Sequence, residues 1–315
     1  MTENAKRTNI PWVEKYRPTR FEEIVLEPIN RTIFKNILEK NYFPNLLFYG
    51  PPGTGKTTTI INLINEHQRI YSQINTSNVI HLNASDERGI DIIRNQIYQF
   101  VRSKNMFEKG TRFVILDEVD YMTKNAQQAL KYLLQSVDSY DVRFCLICNY
   151  ISKIDVSLKT EFICIRFNQL PKEDIFEFIK HVIESEQLQI PDQVINMIQY
   201  RFESDIRSMI NFIQLNQNNI DWSDHIITDS VFEEIHRLFL ENENNDIVRI
   251  FDEKSKKYNM DQKNILIIYF NYLIRNNMAN YHVLKIIKNA IHIQHADIAT
   301  TLKYCAFELC DKIDI

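Results

Sequence analysis

Three features of this chain predict an α/β nucleotide-binding domain with a parallel sheet, then a small helical lid and an all-helical C-terminal module. First, apolar strand candidates recur at Leu46–Tyr49, Val79–Leu82, Phe113–Leu116, Arg143–Cys148 and Ile163–Phe167, with amphipathic stretches between the first four. Such β-α alternation is what a parallel sheet crossed over by helices requires. Second, the run Gly50-Pro51-Pro52-Gly53-Thr54-Gly55-Lys56-Thr57 directly follows the first strand. Third, the strand signal stops after Phe167, and apolar residues then fall at helical spacing.

The glycine run has the spacing G-x-x-x-x-G-K-[ST] and takes Gly50, Gly53 and Gly55 from a chain with only 5 glycines. Without a Cβ in the way, backbone N–H groups can curl around phosphate oxygens. Gly50, Pro51, Pro52, Gly53, Thr54 and Gly55 are therefore expected to cradle the phosphates. Lys56 is placed for the β/γ-phosphates, Thr57 for Mg²⁺, and Thr58 continues the contact into the helix. That helix is expected from Lys56 to Ile64, a segment with no internal Gly or Pro. An ordinary glycine turn between strand and helix is the alternative.

Phe113-Val114-Ile115-Leu116 is an unbroken apolar run ending in Asp117-Glu118. A strand buried on both faces has this composition. Two carboxylates at its end, beside a triphosphate loop, read as a Walker B pair. Asp117 would hold the metal through its water shell, and Glu118 would orient and polarise the attacking water. The other account, an acidic strand exit capping the next helix, would carry more weight without the loop.

At 315 residues and 44% hydrophobic, the chain has material for about two domains with a substantial core. No stretch approaches the roughly 20 consecutive apolar residues of a membrane span, and Met1–Ile10 is polar, so an intracellular, soluble protein is expected. Cys145 and Cys148 have C-x-x-C spacing but lie in an apparent buried strand with no second ligand pair, which argues against zinc or redox use. His292 and His295 lack a third ligand and read as a solvated helix face. Residues 1–170 hold 22 Lys+Arg against 18 Asp+Glu, whereas residues 171–315 hold 15 against 23. The basic half is the nucleotide half. Any nucleic-acid contact would come from a local stripe of charge.

From Pro171, helical periodicity runs through Ile175, Phe178, Ile179 and Val182, then Val194, Met197 and Ile198, then Ile206, Met209, Ile210 and Ile213. Three short helices of this kind would make a lid on the sheet domain. Asn216–Asp224 reads as a linker. Val231, Ile235, Leu238 and Phe239 open a further helical block without Gly or Pro, a packing or assembly module. The expected divisions are 1–170, 171–222 and 223–315.

Several further runs match a known pattern. Trp12-Val13-Glu14-Lys15-Tyr16-Arg17-Pro18, Asn83-Ala84-Ser85-Asp86-Glu87-Arg88-Gly89-Ile90, Phe144 to Tyr150 and Glu203-Ser204-Asp205-Ile206-Arg207 stand beside the loop and acidic pair. With them the chain resembles the small subunits of replication factor C, the AAA+ clamp loader that places sliding clamps on primed DNA. The matches extend from about Trp12 to Asn211. The C-terminal third is similar only in length and helical character to the family's collar.

The resemblance implies an AAA+ P-loop domain, a helical lid and a collar, acting as an ATPase within a hetero-pentamer in the nucleus or wherever DNA is replicated. Partners would be the other loader subunits, a sliding clamp and primer-template DNA; ATP and Mg²⁺ would be the cofactors. It places Val13 and Arg17 against adenine, Asn149 at the sensor 1 position and Arg207 at sensor 2. An asparagine at a strand end can bond the attacking water or the γ-phosphate. Arg207 on a lid helix could touch the γ-phosphate with ATP and lose it after hydrolysis, coupling lid angle to nucleotide state. Arg88, Arg94 and Lys153 stand where the family tracks DNA phosphates, although ordinary solvated charges would look the same. Met106 and Phe107 fall where the clamp-facing surface is expected, beyond Ile97 and Phe100, which core packing explains in whole or part.

One departure stands out. Where the family carries Ser-Arg-Cys, whose arginine reaches a neighbour's ATP site, this chain has Thr160-Glu161-Phe162. A carboxylate there should repel the γ-phosphate, so the subunit is expected to bind ATP without activating its neighbour. Lys159 lies two residues away and is a poor substitute. Two other readings remain beside the working loader subunit: a structural subunit that rarely turns over its nucleotide, and another AAA+ DNA motor.

Overall fold

The computed structural model describes residues 10–40, 42–71, 76–85, 96–102, 110–136, 142–218, 222, 227, 229–240, 244–258, 260–292 and 297–310. It divides into two compact units, Met1–Gln189 with Ile198–Gln217, and Ile190–Met197 with Asn218–Ile315.

In the first unit five strands, β1 (Leu46–Tyr49), β2 (Val79–Asn83), β3 (Arg112–Asp117), β4 (Val142–Cys148) and β5 (Ile163–Arg166), form one sheet in the order β2-β3-β4-β1-β5. Every pairing is parallel. The helices of this unit are α1 (Trp12–Lys15), α2 (Pro28–Glu39), α3 (Lys56–Ile70), α4 (Tyr98–Arg102), α5 (Lys124–Ser136), α6 (Val156–Lys159), α7 (Lys172–Ser185) and α9 (Ile206–Leu215), with part of α8 (Asp192–Phe202).

Side chains alternate across the sheet because successive residues of a strand point to opposite faces. Leu46, Phe48, Phe113, Ile115, Cys145 and Ile147 pack with Phe34 and Ile37 of α2 and Ile60, Leu63 and Ile64 of α3. Leu47, Val114, Leu116, Phe144, Leu146 and Cys148 pack on the other side with Ala126, Leu130 and Leu133 of α5 and Leu158 of α6. Burial on both faces explains the unbroken apolar runs. It also separates the C-x-x-C pair: Cys145 and Cys148 enter opposite layers and cannot share an ion. Burial pushes the Cys148 thiol up to about 12 and Cys145 higher still. Among the described residues no group of three His, Cys, Asp or Glu is arranged to hold a metal.

The second unit contains α10 (Asp229–Leu240), α11 (Asn244–Tyr258), α12 (Gln262–Arg275), α13 (Tyr281–His292) and α14 (Ile298–Cys310). Its core centres on Phe239, Phe251, Tyr269, Phe270, Leu273 and Leu302. Phe239 and Tyr269 stack with ring centroids 5.1 Å apart, and the Tyr269 hydroxyl lies 2.9 Å from His236 Nδ1. Burial raises the Tyr269 phenol well above its ordinary value. No helix among the described residues is long and apolar enough to cross a membrane. His295 lies outside them, as do Arg88, Arg94, Met106 and Phe107.

Candidate nucleotide-binding site

Parallel strands deliver their C-terminal ends to one edge of a sheet, and loops leaving that edge build ligand sites. Here β1 is followed by the glycine loop, β3 by Glu118 and β4 by Asn149. Since Tyr49 pairs with Cys148 and Leu116 with Leu146, the three exits lie side by side.

The loop turns back sharply at its glycines. Gly53 has φ +73° and Gly55 φ +84°, left-handed values that other residues adopt at a cost. A Cβ at Gly50 would sit 1.8 Å from the Phe167 carbonyl oxygen, and one at Gly53 would sit 1.8 Å from Asp205 Oδ1. Asp205 caps α9, accepting from the Ser208 N–H at 3.0 Å and its hydroxyl at 2.8 Å. The loop tip therefore lies directly against the start of α9, the helix carrying Arg207. Gly55 ends the loop at the N-terminus of α3, where free N–H groups and the helix dipole favour an anion.

Thr54 is buried and its hydroxyl donates to the Pro51 carbonyl at 2.9 Å, bracing the loop from inside. Lys56 is only 7% exposed, and its Nζ donates to the carbonyls of Gly50 (2.8 Å) and Pro51 (2.7 Å). Burial lowers its pKa; the charges of Asp117 and Asp120 partly counter this, while Arg207 adds to it. The ammonium is thus strongly desolvated within its own loop, next to where a phosphate would sit.

Thr57 Oγ1 donates to Asp117 Oδ2 at 2.7 Å, joining the first turn of α3 to the end of β3. A hydroxyl and a carboxylate, both hard oxygen donors, fit the Mg²⁺ of a bound triphosphate. Asp117 Oδ1 accepts the Glu118 N–H at 2.9 Å, and Glu118 stands at φ +56°. That is an uncommon conformation for a residue with a Cβ, shared here by Gln187, Glu203 and Asn277. Asn149 follows β4, half-buried.

A cavity of about 110 Å³ adjoins the loop, lined by Val13, Tyr16, Arg17, Gly53, Lys56 and Arg207 among others. Arg17 Nε donates to Thr58 Oγ1 at 3.2 Å, so two residues expected at the nucleotide are joined to each other. Lys153 lies apart, exposed, with Nζ 5.2 Å from the Tyr121 ring centre and 5.0 Å from that of Tyr150. Glu161 Oε1 accepts from Gln135 Nε2 at 3.1 Å, and Lys159 Nζ donates to the Ile151 carbonyl at 3.2 Å.

Sequence reasoning passed over Asp205 as the neighbour of Gly53, although it lies in a quoted motif. It also passed over Gln127, whose amide donates to the carbonyls of Met122 and Lys153 and accepts the Asp155 N–H, tying α5 to the loop after Asn149. A glutamine on an amphipathic helix carries no mark of burial. Ile206, Ile210 and Phe178, which fall at the helical spacing of the lid, also line the cavity.

Residues 46–169 match the family described as "ATPase family associated with various cellular activities (AAA)". The glycine loop and acidic pair thus belong to an AAA ATPase domain. Over 234 residues the chain is 37% identical to "Replication factor C subunit 3" of Saccharomyces cerevisiae, covering 74% of this chain and 68% of that protein. The protein of the same name from Blastobotrys adeninivorans is 36% identical over 232 residues, with the same shares covered. "Replication factor C subunit 5" of Homo sapiens is 39% identical over 211 residues, 67% of this chain and 61% of that one. The solved Thermotoga maritima RuvB Holliday junction branch migration motor is similar in fold, with a TM-score of 0.52 and 16% identity over 83% of this chain and 91% of its own. The chain belongs to the replication factor C subunit family, the ATP-dependent clamp loaders of DNA replication, and is an ATPase subunit of a multi-subunit complex.

Proposed function

We propose that this chain is a working ATPase of a hetero-pentameric clamp loader, binding MgATP to open a sliding clamp and hydrolysing it when primer-template DNA enters the complex. The observation that carries this reading is the 2.7 Å bond between Thr57 Oγ1 and Asp117 Oδ2. It joins the loop hydroxyl to the β3 acid, the two groups that would hold the metal.

Thr57 and Asp117 would hold magnesium, which when bound neutralises phosphate charge and polarises the phosphoryl group. Lys56 leaves the carbonyls of Gly50 and Pro51 for the β- and γ-phosphate oxygens, exchanging neutral acceptors for charged ones. Backbone N–H groups from Gly53 to Thr58 bind the phosphates, and Val13 and Arg17 face the adenine. Glu118 orients the attacking water, Asn149 bonds that water or the γ-phosphate, and Arg207 reaches the γ-phosphate from α9. Because Asp205 touches the tip of the loop, filling the loop bears directly on α9. Residues 171–222 act as the lid and 223–315 as the collar of the ring. Lys153 contributes to the DNA-facing surface with Arg88 and Arg94, which lie outside the described residues; the setting is the nucleus or wherever DNA is replicated.

Glu161 gives this subunit a one-sided role. Lys159 is bonded to Ile151 within its own subunit and Glu161 is negative, so neither supplies a cation to the neighbour's γ-phosphate. Glu161→Ala in the assembled complex is expected to leave hydrolysis at the adjacent site unchanged or faster; slower hydrolysis there contradicts this part of the reading. For the whole reading, the test is retention of a sliding clamp by the complex with a slowly hydrolysed ATP analogue. Retention with the analogue and release after hydrolysis is expected; a clamp bound equally without nucleotide contradicts it.

A further inference from the structure

Glu186 follows the last turn of α7, where the chain reverses through Gln187 at φ +57°. Its Oε1 accepts two hydrogen bonds, from Lys15 Nζ and from the Tyr16 hydroxyl, each 2.6 Å long. The Glu186 side chain is 17% exposed and that of Lys15 44%. Burial pushes the Glu186 carboxyl up, but the bonds from Lys15 and Tyr16 together outweigh it and leave the carboxyl below its usual range. Both partners shift up: Lys15 through its bond to Glu186, Tyr16 through burial and then Glu186.

The same short segment is fastened again at its start. The Trp12 N–H donates to Gln214 Oε1, near the end of α9, at 3.1 Å, and the Trp12 side chain is buried. From Arg17 onward the attachments change. Arg17 bonds Thr58, and the Pro18 carbonyl accepts from Asn62 Nδ2 at 2.9 Å, both on α3. Trp12–Tyr16 is therefore tied to the two helices α7 and α9, and Arg17–Pro18 to the helix that follows the phosphate loop. Val13, within the first group, lines the same cavity as Arg207. Tyr16 lines both that cavity and an outer groove of about 620 Å³, forming part of the wall between them.

We propose that Glu186 is a positioning residue for the adenine end of the nucleotide, clasping Lys15 and Tyr16 so that Val13 and the wall formed by Tyr16 move with α7 and α9 as one piece. This rests on the reading of the cavity as a nucleotide site. The phosphate end is held by the loop and α3, to which the clasp makes no bond. Loss of the clasp therefore weakens the hold on adenosine and leaves the hold on phosphate intact. The 2.6 Å bonds join charged to charged and charged to polar groups, but one partner is well exposed, which screens the pair.

The test uses the full chain with Trp222→Phe, which leaves Trp12 as the single tryptophan, since the sequence has 2. Without nucleotide, Glu186→Ala is expected to expose Trp12 to acrylamide quenching, and Tyr16→Phe to do so less. With Mg²⁺, Glu186→Ala is expected to weaken ATP binding about five- to tenfold while leaving inorganic tripolyphosphate binding within twofold. Glu186→Gln, which keeps an acceptor for Tyr16 but loses the charge, should fall between. Unchanged Trp12 quenching, unchanged ATP affinity, or an equal loss for ATP and tripolyphosphate overturns the proposal. If the parent chain binds neither ligand, the nucleotide reading fails, and the quenching series still decides whether the clasp exists.

Discussion

The two units differ in what they bury. In the first, Lys56, Asp120, Thr54, Thr59, Asn62, His67 and Gln127 are all buried with the apolar core; in the second, Thr301 is the single buried polar or charged residue among those described. Burying polar groups costs stability unless each is partnered, so a fold retains many of them where they do something other than pack. Lys56, Thr54 and Gln127 brace or fill the edge of the sheet that carries the loop, Glu118 and Asn149. The helical unit builds its core from stacked aromatic and aliphatic side chains, which serve a scaffold well.

This contrast can be broken at either end. Phe239→Ala removes a fully buried ring from the helical core and is expected to cost about 3–5 kcal/mol of that unit's stability. Chemical denaturation checks the size, and MgATP titration of the folded variant should give the affinity of the parent. Glu118→Gln should do the reverse: turnover falls at least about a hundredfold while unfolding is unchanged and MgATP still binds. Turnover at the parent rate in the variant would show that Glu118 does not orient the attacking water. Gly53→Ala meets both a left-handed backbone and Asp205, so about a tenfold loss of nucleotide affinity is expected, with some loss of stability.

The smallest effect is set by pH. His67 packs among Phe43, Tyr71 and Phe113, with burial first and Arg143 second lowering its pKa below the ordinary 6.5. The folded chain therefore takes up a proton there less readily than the unfolded one. The resulting contribution is present above pH 6.5 and is lost as pH falls below it. His67→Phe should flatten this part of the stability profile, measured by denaturation between about pH 7 and 5.

Much of this molecule was legible because it depends on local chemistry. All five strand candidates appear in the sheet to within a residue at their ends: β1, β3 and β4 are covered on both faces and so apolar along their buried runs, whereas the edge strands β2 and β5 are only partly covered. The helix after the loop was read only to Ile64 and runs to Ile70, because His67 and Gln68 look polar yet are buried. The loop, Asp117 and Glu118 were legible at strand ends and Asn149 through the family resemblance, and their neighbourhood follows from strand order. What escaped was set by the approach of distant segments: Glu186 meets Lys15 across 171 positions of sequence, and Gly53 meets Asp205 across the same first unit. Neither meeting leaves a mark at short range. The numbers of helices beyond Asn218 likewise escaped, for want of Gly or Pro to punctuate them.

The central claim is that one pocket grips MgATP through the loop and the acid at the end of β3. It is tested most directly by calorimetric titration of the full chain with ATP, with and without magnesium, beside Lys56→Ala. The account predicts binding that strengthens with magnesium and vanishes in the variant; adenine-nucleotide binding indifferent to magnesium and to Lys56, or none at all by the parent, would contradict it.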